Sequence, residues 1–204
     1  MWSMIIKGGW VMVPIFICSF FALAIIVERL FFFLGTAAKY KVRNIKAQII
    51  KHVRDNNIPA AKKMCDDNPF YVTAVLKAGL DNFHKPTNLL KEAMEDMSLY
   101  EVPKLERNLH FLGTIAHVSP LLGLLGTVTG LVSCFGLIET KASIAGSVNP
   151  SELAGGIWEA LITTVAGLCV AIPAYIAYNY FVHAVSFSVL EMERAATELL
   201  EVKE

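Results

Sequence analysis

Three stretches of this 204-residue chain lack Asp, Glu, Lys and Arg altogether: residues 8–27, 108–138 and 160–190. They hold 82 residues, so the other 122 carry all 36 charged side chains, at a net charge of zero. Charge so segregated excludes an ordinary soluble enzyme, and 55% hydrophobic residues exclude a disordered chain. No broad basic surface is available for a nucleic acid. Cysteine is scarce. Cys18, Cys65, Cys134 and Cys169 show neither a disulfide framework nor metal-ligand spacing, and read as small apolar fillers. There is no phosphate loop, zinc spacing, internal repeat or low-complexity segment. Ser, His and acidic residues occur, but nothing places them together as a catalytic set. No enzymatic activity, metal or cofactor is therefore expected.

The uncharged runs are each long enough to cross a bilayer. Backbone polar groups in hydrocarbon need partners within the segment, so the runs are predicted to be helices. Their apolar residues are continuous and do not alternate, which argues against barrel strands. Ala22-Leu23-Ala24 resembles a signal-peptidase site. The apolar run passes through it to Val27 and resumes at Leu30–Leu34, so a retained helix is expected. The predicted spans are 8–34, 108–138 and 153–190. Lys7 is the single basic residue before the first span and Lys141 the single one in the 139–152 loop, whereas residues 28–107 hold fourteen. Several of these, Arg29, Lys39, Lys41, Arg43 and Lys46, lie close to the membrane. The positive-inside rule then puts the N-terminus and the 139–152 loop in the periplasm, and the 35–107 region and the 191–204 tail in the cytoplasm. The tail is acidic, but acids count little in that rule.

Spans two and three exceed what a bilayer requires. Each uncharged run makes about 46 Å of helix against a hydrocarbon core of about 30 Å, so their ends should project into the polar parts. Helical spacing continues there. Val42, Ile45, Ile49 and Val53 share a face, as do Met94, Met97, Glu101, Leu105 and Leu109, apart from the one acid. Leu190, Met192, Ala196, Leu199 and Leu200 extend an amphipathic tail. Breaks are expected at Pro59, Asn68-Pro69, Lys85-Pro86 and Asn149-Pro150, and Pro103 should kink the helix before span two or mark its start. The expected architecture is an all-α membrane protein of one unit over 1–204, with three transmembrane helices and long cytoplasmic helical extensions.

The residues that bear on chemistry lie in spans two and three. Gly126 and Gly130 form a small-xxx-small pair, Gly123, Thr127 and Gly130 share a face, and Ser133-Cys134 continue a stripe of small residues. Tight helix packing alone would explain the glycines. In span three, Glu159, Thr163 and Gly167 recur every four residues on an otherwise apolar helix, with Thr164 on a neighbouring face. An acid at membrane depth usually faces a partner or a water-filled cavity. Glu159 lies only a turn or two into the span, so an interfacial acid is the plainer alternative. A carboxyl group with hydroxyls nearby can pass or orient protons, or coordinate a small cation, which makes Glu159 and Thr163 candidates for a proton path. His110, His117 and His183 raise a reading of another class, a haem-binding redox protein. Haem wants histidines from two helices at one depth, and His117 and His183 do not match in depth across antiparallel helices. Packing or interfacial histidines fit better, with His117 a possible polar neighbour of an ion path.

Two blocks carry a family resemblance. One is Leu112-Gly113-Thr114-Ile115-Ala116 followed by Pro120-Leu121-Leu122-Gly123-Leu124-Leu125-Gly126-Thr127-Val128 and Gly130. The other is Gly156-Ile157-Trp158-Glu159-Ala160-Leu161 with Thr163, Thr164, Gly167-Leu168 and Ala171-Ile172-Pro173. With Glu28-Arg29 closing span one, the chain resembles the ExbB/TolQ/MotA proton-channel family, most closely its shorter ExbB-like members. Residues 40–105 match only in size and position. Ser119 stands where the family more often has Ala, and His117 is not expected there. The resemblance implies a pentameric ring around a lumen lined by spans two and three. The lumen would hold an ExbD-like or TolR-like single-span partner whose membrane aspartate takes the proton. It makes Thr127 and Thr164 lumen-facing threonines and Glu159 the intramembrane glutamate. It implies an inner-membrane subunit that converts proton flow into work, through a TonB-like protein for outer-membrane uptake or a TolA-like protein for the Tol–Pal system. The residues agree on one point. Glu159 is the only acid well within the apolar runs, so a second protonatable group has to come from a partner.

Overall fold

The structure, a computed structural model, describes residues 9–36, 39–144 and 150–203, with side-chain surroundings for those outside 34–41 and 141–153. Lys7, the centre of the expected 139–152 loop and the side chains of Lys39, Lys41 and Lys141 lie outside the described residues. All regular structure among the described residues is helical: α1 Met12–Thr36, α2 Lys39–Arg54, α3 Ile58–Asp67, α4 Tyr71–Asp81, α5 Thr87–Glu106, α6 Leu109–Ile144 and α7 Pro150–Lys203. Three helical stretches are long and apolar enough to cross a membrane: Met12–Phe33, Thr87–Thr140 and Ala154–Lys203. Only 17% of the most apolar window of the first is buried within the chain, which leaves most of it for lipid or other chains.

Several boundaries differ from the sequence expectation. Helix α6 runs past residue 138 to Ile144, and α7 resumes at Pro150, where a proline at a first helical position gives up no hydrogen bond. Helix α7 is unbroken through 54 residues and takes in the 191–204 region to Lys203. Pro120 and Pro173 lie inside α6 and α7 without ending them. Pro103 likewise lies inside α5, and the helix stops three residues later, at Glu106. The break is made at Arg107, extended at ψ 135°, and Asn108, whose φ of 61° is the left-handed conformation that asparagine tolerates better than most residues. Asn56, at φ 57°, punctuates α2 and α3 in the same way.

The chain divides into two compact units, Met1–Val27 with Asn108–Asn179, and Glu28–Arg107 with Tyr180–Glu204. In the first, Val11, Met12 and Ile15 at the start of α1 are buried against Leu122 of α6 and Ala166 and Val170 of α7.

The second unit is a helical cluster built on the faces that the spacing predicts. Val42, Ile45, Ile49 and Val53 of α2 are all buried, as are Met94 and Leu105 of α5. The tail of α7 buries Met192, Ala195 and Leu199, whereas Leu190 is exposed, so its inner face is turned relative to the sequence pattern. Gly79 of α4 is the close-approach point. A Cβ there would stand 2.6 Å from Leu199 Cδ2 and 2.7 Å from Met94 Sδ. Lys46 is buried to 9% exposure and donates to Glu198 Oε1 at 2.6 Å, tying the basic region to the acidic tail. Helix α3 is capped by the Asn57 side chain, which accepts from the Ala60 amide at 3.2 Å. Arg29, 2% exposed, answers the break after α5. Its Nη1 donates to the carbonyls of Lys104 at 3.4 Å and Leu105 at 3.3 Å, which the ended helix leaves without intrahelical donors. Its Nη2 reaches Glu28 at 3.3 Å, and the guanidinium lies 5.2 Å from the Phe32 ring centroid.

Candidate functional site

Helices α6 and α7 run antiparallel and meet along a seam of small residues. As the number rises on one helix it falls on the other: Ser119 meets Gly167, Gly123 meets Thr163 and Thr164, Gly126 meets Thr163, Gly130 meets Ala160, and Cys134 meets Gly156. The seam has no room for larger side chains. A Cβ on Gly167 would stand 2.5 Å from the Ser119 carbonyl oxygen, and one on Gly126 would stand 2.6 Å from Thr163 Cβ. Close backbone approach of this kind is what small residues give helices in lipid, where no hydrophobic force drives them together.

Two hydroxyls face each other across the seam. Thr127 Oγ1 and Thr164 Oγ1 are hydrogen-bonded directly. Thr164 Oγ1 also reaches the Gly123 carbonyl at 3.0 Å, and Thr127 Oγ1 the carbonyls of Ala160 at 3.1 Å and Gly123 at 3.3 Å. Each hydroxyl has one proton and two lone pairs. Two protons are thus shared among two hydroxyls and two carbonyls, and more than one donor arrangement satisfies the group. Both threonines are only half-buried, so the pair is reachable from one side.

The other singled-out residues go elsewhere. Thr163 is buried at 1% exposure, donates to the Ala160 carbonyl at 2.7 Å and fills the space over Gly126. The Glu159–Thr163–Gly167 stripe is therefore divided: Thr163 and Gly167 belong to the α6 seam. Glu159 lies five residues before Thr164, about 7.5 Å along the axis and turned by about 140° from it. It is half-buried, and its Oε1 lies against Gly9, just before α1. His117 bonds to its own helix, Nδ1 to the Gly113 carbonyl at 2.7 Å, and sits edge-on to Tyr175 with centroids 5.9 Å apart.

Three features escaped the sequence reading. The Gly156–Cys134 contact was signalled by the small residues at 156, 160, 163 and 167, which recur every three or four positions. Ser119 is fully buried and its Oγ has no hydrogen-bond partner within the described chain, something no local pattern announces. Gly9 has φ 65° and packs on Glu159, a contact between residues 150 positions apart.

Residues 69–194, which include this seam, match the MotA/TolQ/ExbB proton channel family. The chain belongs to that family. It is 31% identical over 195 residues to an ExbB-like biopolymer transport protein of Synechocystis, covering 95% of this chain and 91% of that one. It is 33% identical to a biopolymer transport protein ExbB of Vibrio cholerae, over 79% of this chain and 70% of that one. The Tol-Pal system protein TolQ of Pseudomonas aeruginosa is 48% identical over a shorter stretch, 40% of this chain and 33% of that protein. A family of proton channels, not a known enzyme family, combined with three apolar helices, makes this a multi-pass inner-membrane protein.

Proposed function

We propose that the chain is the channel-forming stator subunit of an inner-membrane complex that couples the proton motive force to mechanical energisation of TonB-dependent outer-membrane transport. The observation that carries this reading is the Thr127–Thr164 hydroxyl pair. It is a small, half-buried polar group on a largely apolar helix pair, and more than one donor arrangement satisfies it. Thr127 and Thr164 line the path, and Glu159 sets the electrostatics near its outer part. Gly123, Gly126, Gly130, Gly167 and the buried Thr163 hold α6 and α7 close enough for the two hydroxyls to meet. Glu159 and the pair face different neighbours within one chain, so a complete relay needs groups from other chains. A pentamer of this subunit around an ExbD-like single-span protein carrying a membrane aspartate supplies them, and a TonB-like protein receives the work. The N-terminus is then periplasmic and the C-terminus cytoplasmic, as the lysine and arginine distribution directs. The ExbB role is preferred because ExbB-like relatives align over most of both chains. The higher but shorter identity to TolQ favours a second reading, a Tol–Pal subunit working with TolR-like and TolA-like proteins.

Thr164→Val keeps the side-chain volume and removes the hydroxyl. It is expected to leave membrane assembly intact and abolish proton-driven uptake of an iron–siderophore in cells dependent on this chain; Glu159→Ala should do the same. Wild-type uptake and wild-type envelope integrity in both variants would sink the assignment. Loss of envelope integrity with normal uptake would select the Tol–Pal role.

A further inference from the structure

We propose that Gly9 is the seat of the Glu159 carboxylate and acts as a positioning residue for it; this rests on the role given to Glu159 in the proposed function. The backbone conformation favours glycine here, and the carboxyl end of Glu159 lies against it. Its φ of 65° lies in the left-handed region, which disfavours a side chain. A Cβ built there would overlap Glu159 Oε1 and lie 3.4 Å from Glu159 Cδ. The carboxyl end of Glu159 therefore rests on bare backbone at the entry to α1, where any Cβ would push it aside.

The seat is held from both sides. The Gly9 carbonyl accepts from the Met12 amide at 3.3 Å, closing the turn that starts α1. Val11, Met12 and Ile15, which follow at once, are 2%, 4% and 2% exposed, against Leu122, Ala166 and Val170. Ala166 and Val170 stand on α7 seven and eleven residues beyond Glu159, so the first turns of α1 are docked on the helix that carries the acid. The contact thus fixes where the carboxylate sits and couples it to α1, a helix the threonine pair does not touch. Its function would be to hold Glu159 away from the α6–α7 seam and at a fixed orientation.

The test is carbodiimide labelling of Glu159, located by peptide mass spectrometry on the full-length protein assembled in membranes. Glu159→Gln serves as the control without a reactive carboxyl. Gly9→Ala and Gly9→Asn are compared with wild type. Asparagine tolerates the positive φ while still carrying a Cβ, so it separates backbone strain from displacement of the acid. In both variants, labelling of Glu159 is expected to rise severalfold, because the displaced carboxyl is no longer covered by the start of α1. Proton-driven work should fall with it. Unchanged labelling in both, or wild-type labelling restored by asparagine alone, overturns the seat. Altered labelling with undiminished proton-driven work upholds the seat and instead removes Glu159 from the proposed function. If Gly9→Ala fails to accumulate, Gly9→Asn alone is read: labelling raised above wild type upholds the seat and unchanged labelling overturns it.

Discussion

Ser119 and Cys65 show how differently one buried polar atom can behave. The Ser119 hydroxyl is buried at the seam without a partner in the described chain. A buried hydroxyl that makes no bond costs more than it contributes, so Ser119→Ala should be neutral or stabilising by about 1 kcal/mol. Loss of thermal stability in the assembled protein would show that the hydroxyl has a partner from another chain. Cys65 sits in the helical cluster, where burial first, and neighbouring Asp66 second, push its thiol from 9.0 up to about 11. The folded chain therefore resists ionising this thiol where the unfolded chain ionises freely. The sign follows: its contribution to stability is intact below pH 9 and is lost as pH rises from 9 toward about 11. Thiolate is the reactive form. Alkylation of Cys65 at neutral pH should thus be far slower than that of a free thiol, and should accelerate toward pH 11. Rapid modification at pH 7 in the folded protein would contradict this.

At the scale of elements, the joint between α5 and α6 is the most informative. Sequence spacing runs Met94, Met97, Glu101, Leu105 and Leu109 as one continuous helix face, with Pro103 as the suspect. The break instead falls at Asn108, and Arg29 from the end of α1 supplies donors to the carbonyls that the break exposes. Arg29→Ala would leave those carbonyls unanswered and a space beside Phe32. The expected loss is about 2–4 kcal/mol of stability, with Arg29→Lys recovering part of it. Hydrogen exchange at the end of α5 measures it. Protection equal to wild type in Arg29→Ala would show that the carbonyls find other partners. Arg29 reads in sequence as one more cytoplasmic positive charge, and both roles are compatible.

For the molecule as a whole, α7 decides the organisation. The sequence predicts a third span to 190, extended over 191–204 by an amphipathic tail. The structure continues one helix to Lys203 and uses its last turns to complete the second unit. Met192, Ala195 and Leu199 are buried there, and Glu198 pairs with the nearly buried Lys46. Deleting 191–204 should therefore leave the α6–α7 seam in place while destabilising the unit of residues 28–107. Limited proteolysis reads this as cleavage within α2–α5 while α6 stays protected. If both regions stay equally resistant, the tail is an appendage.

Much was legible because the bilayer imposes a severe rule on sequence: a span must be uncharged, continuous and helical. The three apolar helices and the small-residue seam followed from composition and a period of 3.6, whereas Thr127 and Thr164 are singled out by the family resemblance. The buried face of α2 followed from the same period, because one-sided spacing has few other uses. What the sequence could not determine depends on partners far apart in the chain. Whether a threonine faces a hydroxyl or fills a gap is set by the opposing helix: adjacent Thr163 and Thr164 differ by one position and meet Gly126 and Thr127 respectively. Arg29 on the α5 carbonyls, Lys46 on Glu198 and Glu159 on Gly9 are likewise contacts across long separations. Composition and periodicity carry no record of such pairings, because each side chain satisfies its own helix equally well until another helix is packed against it.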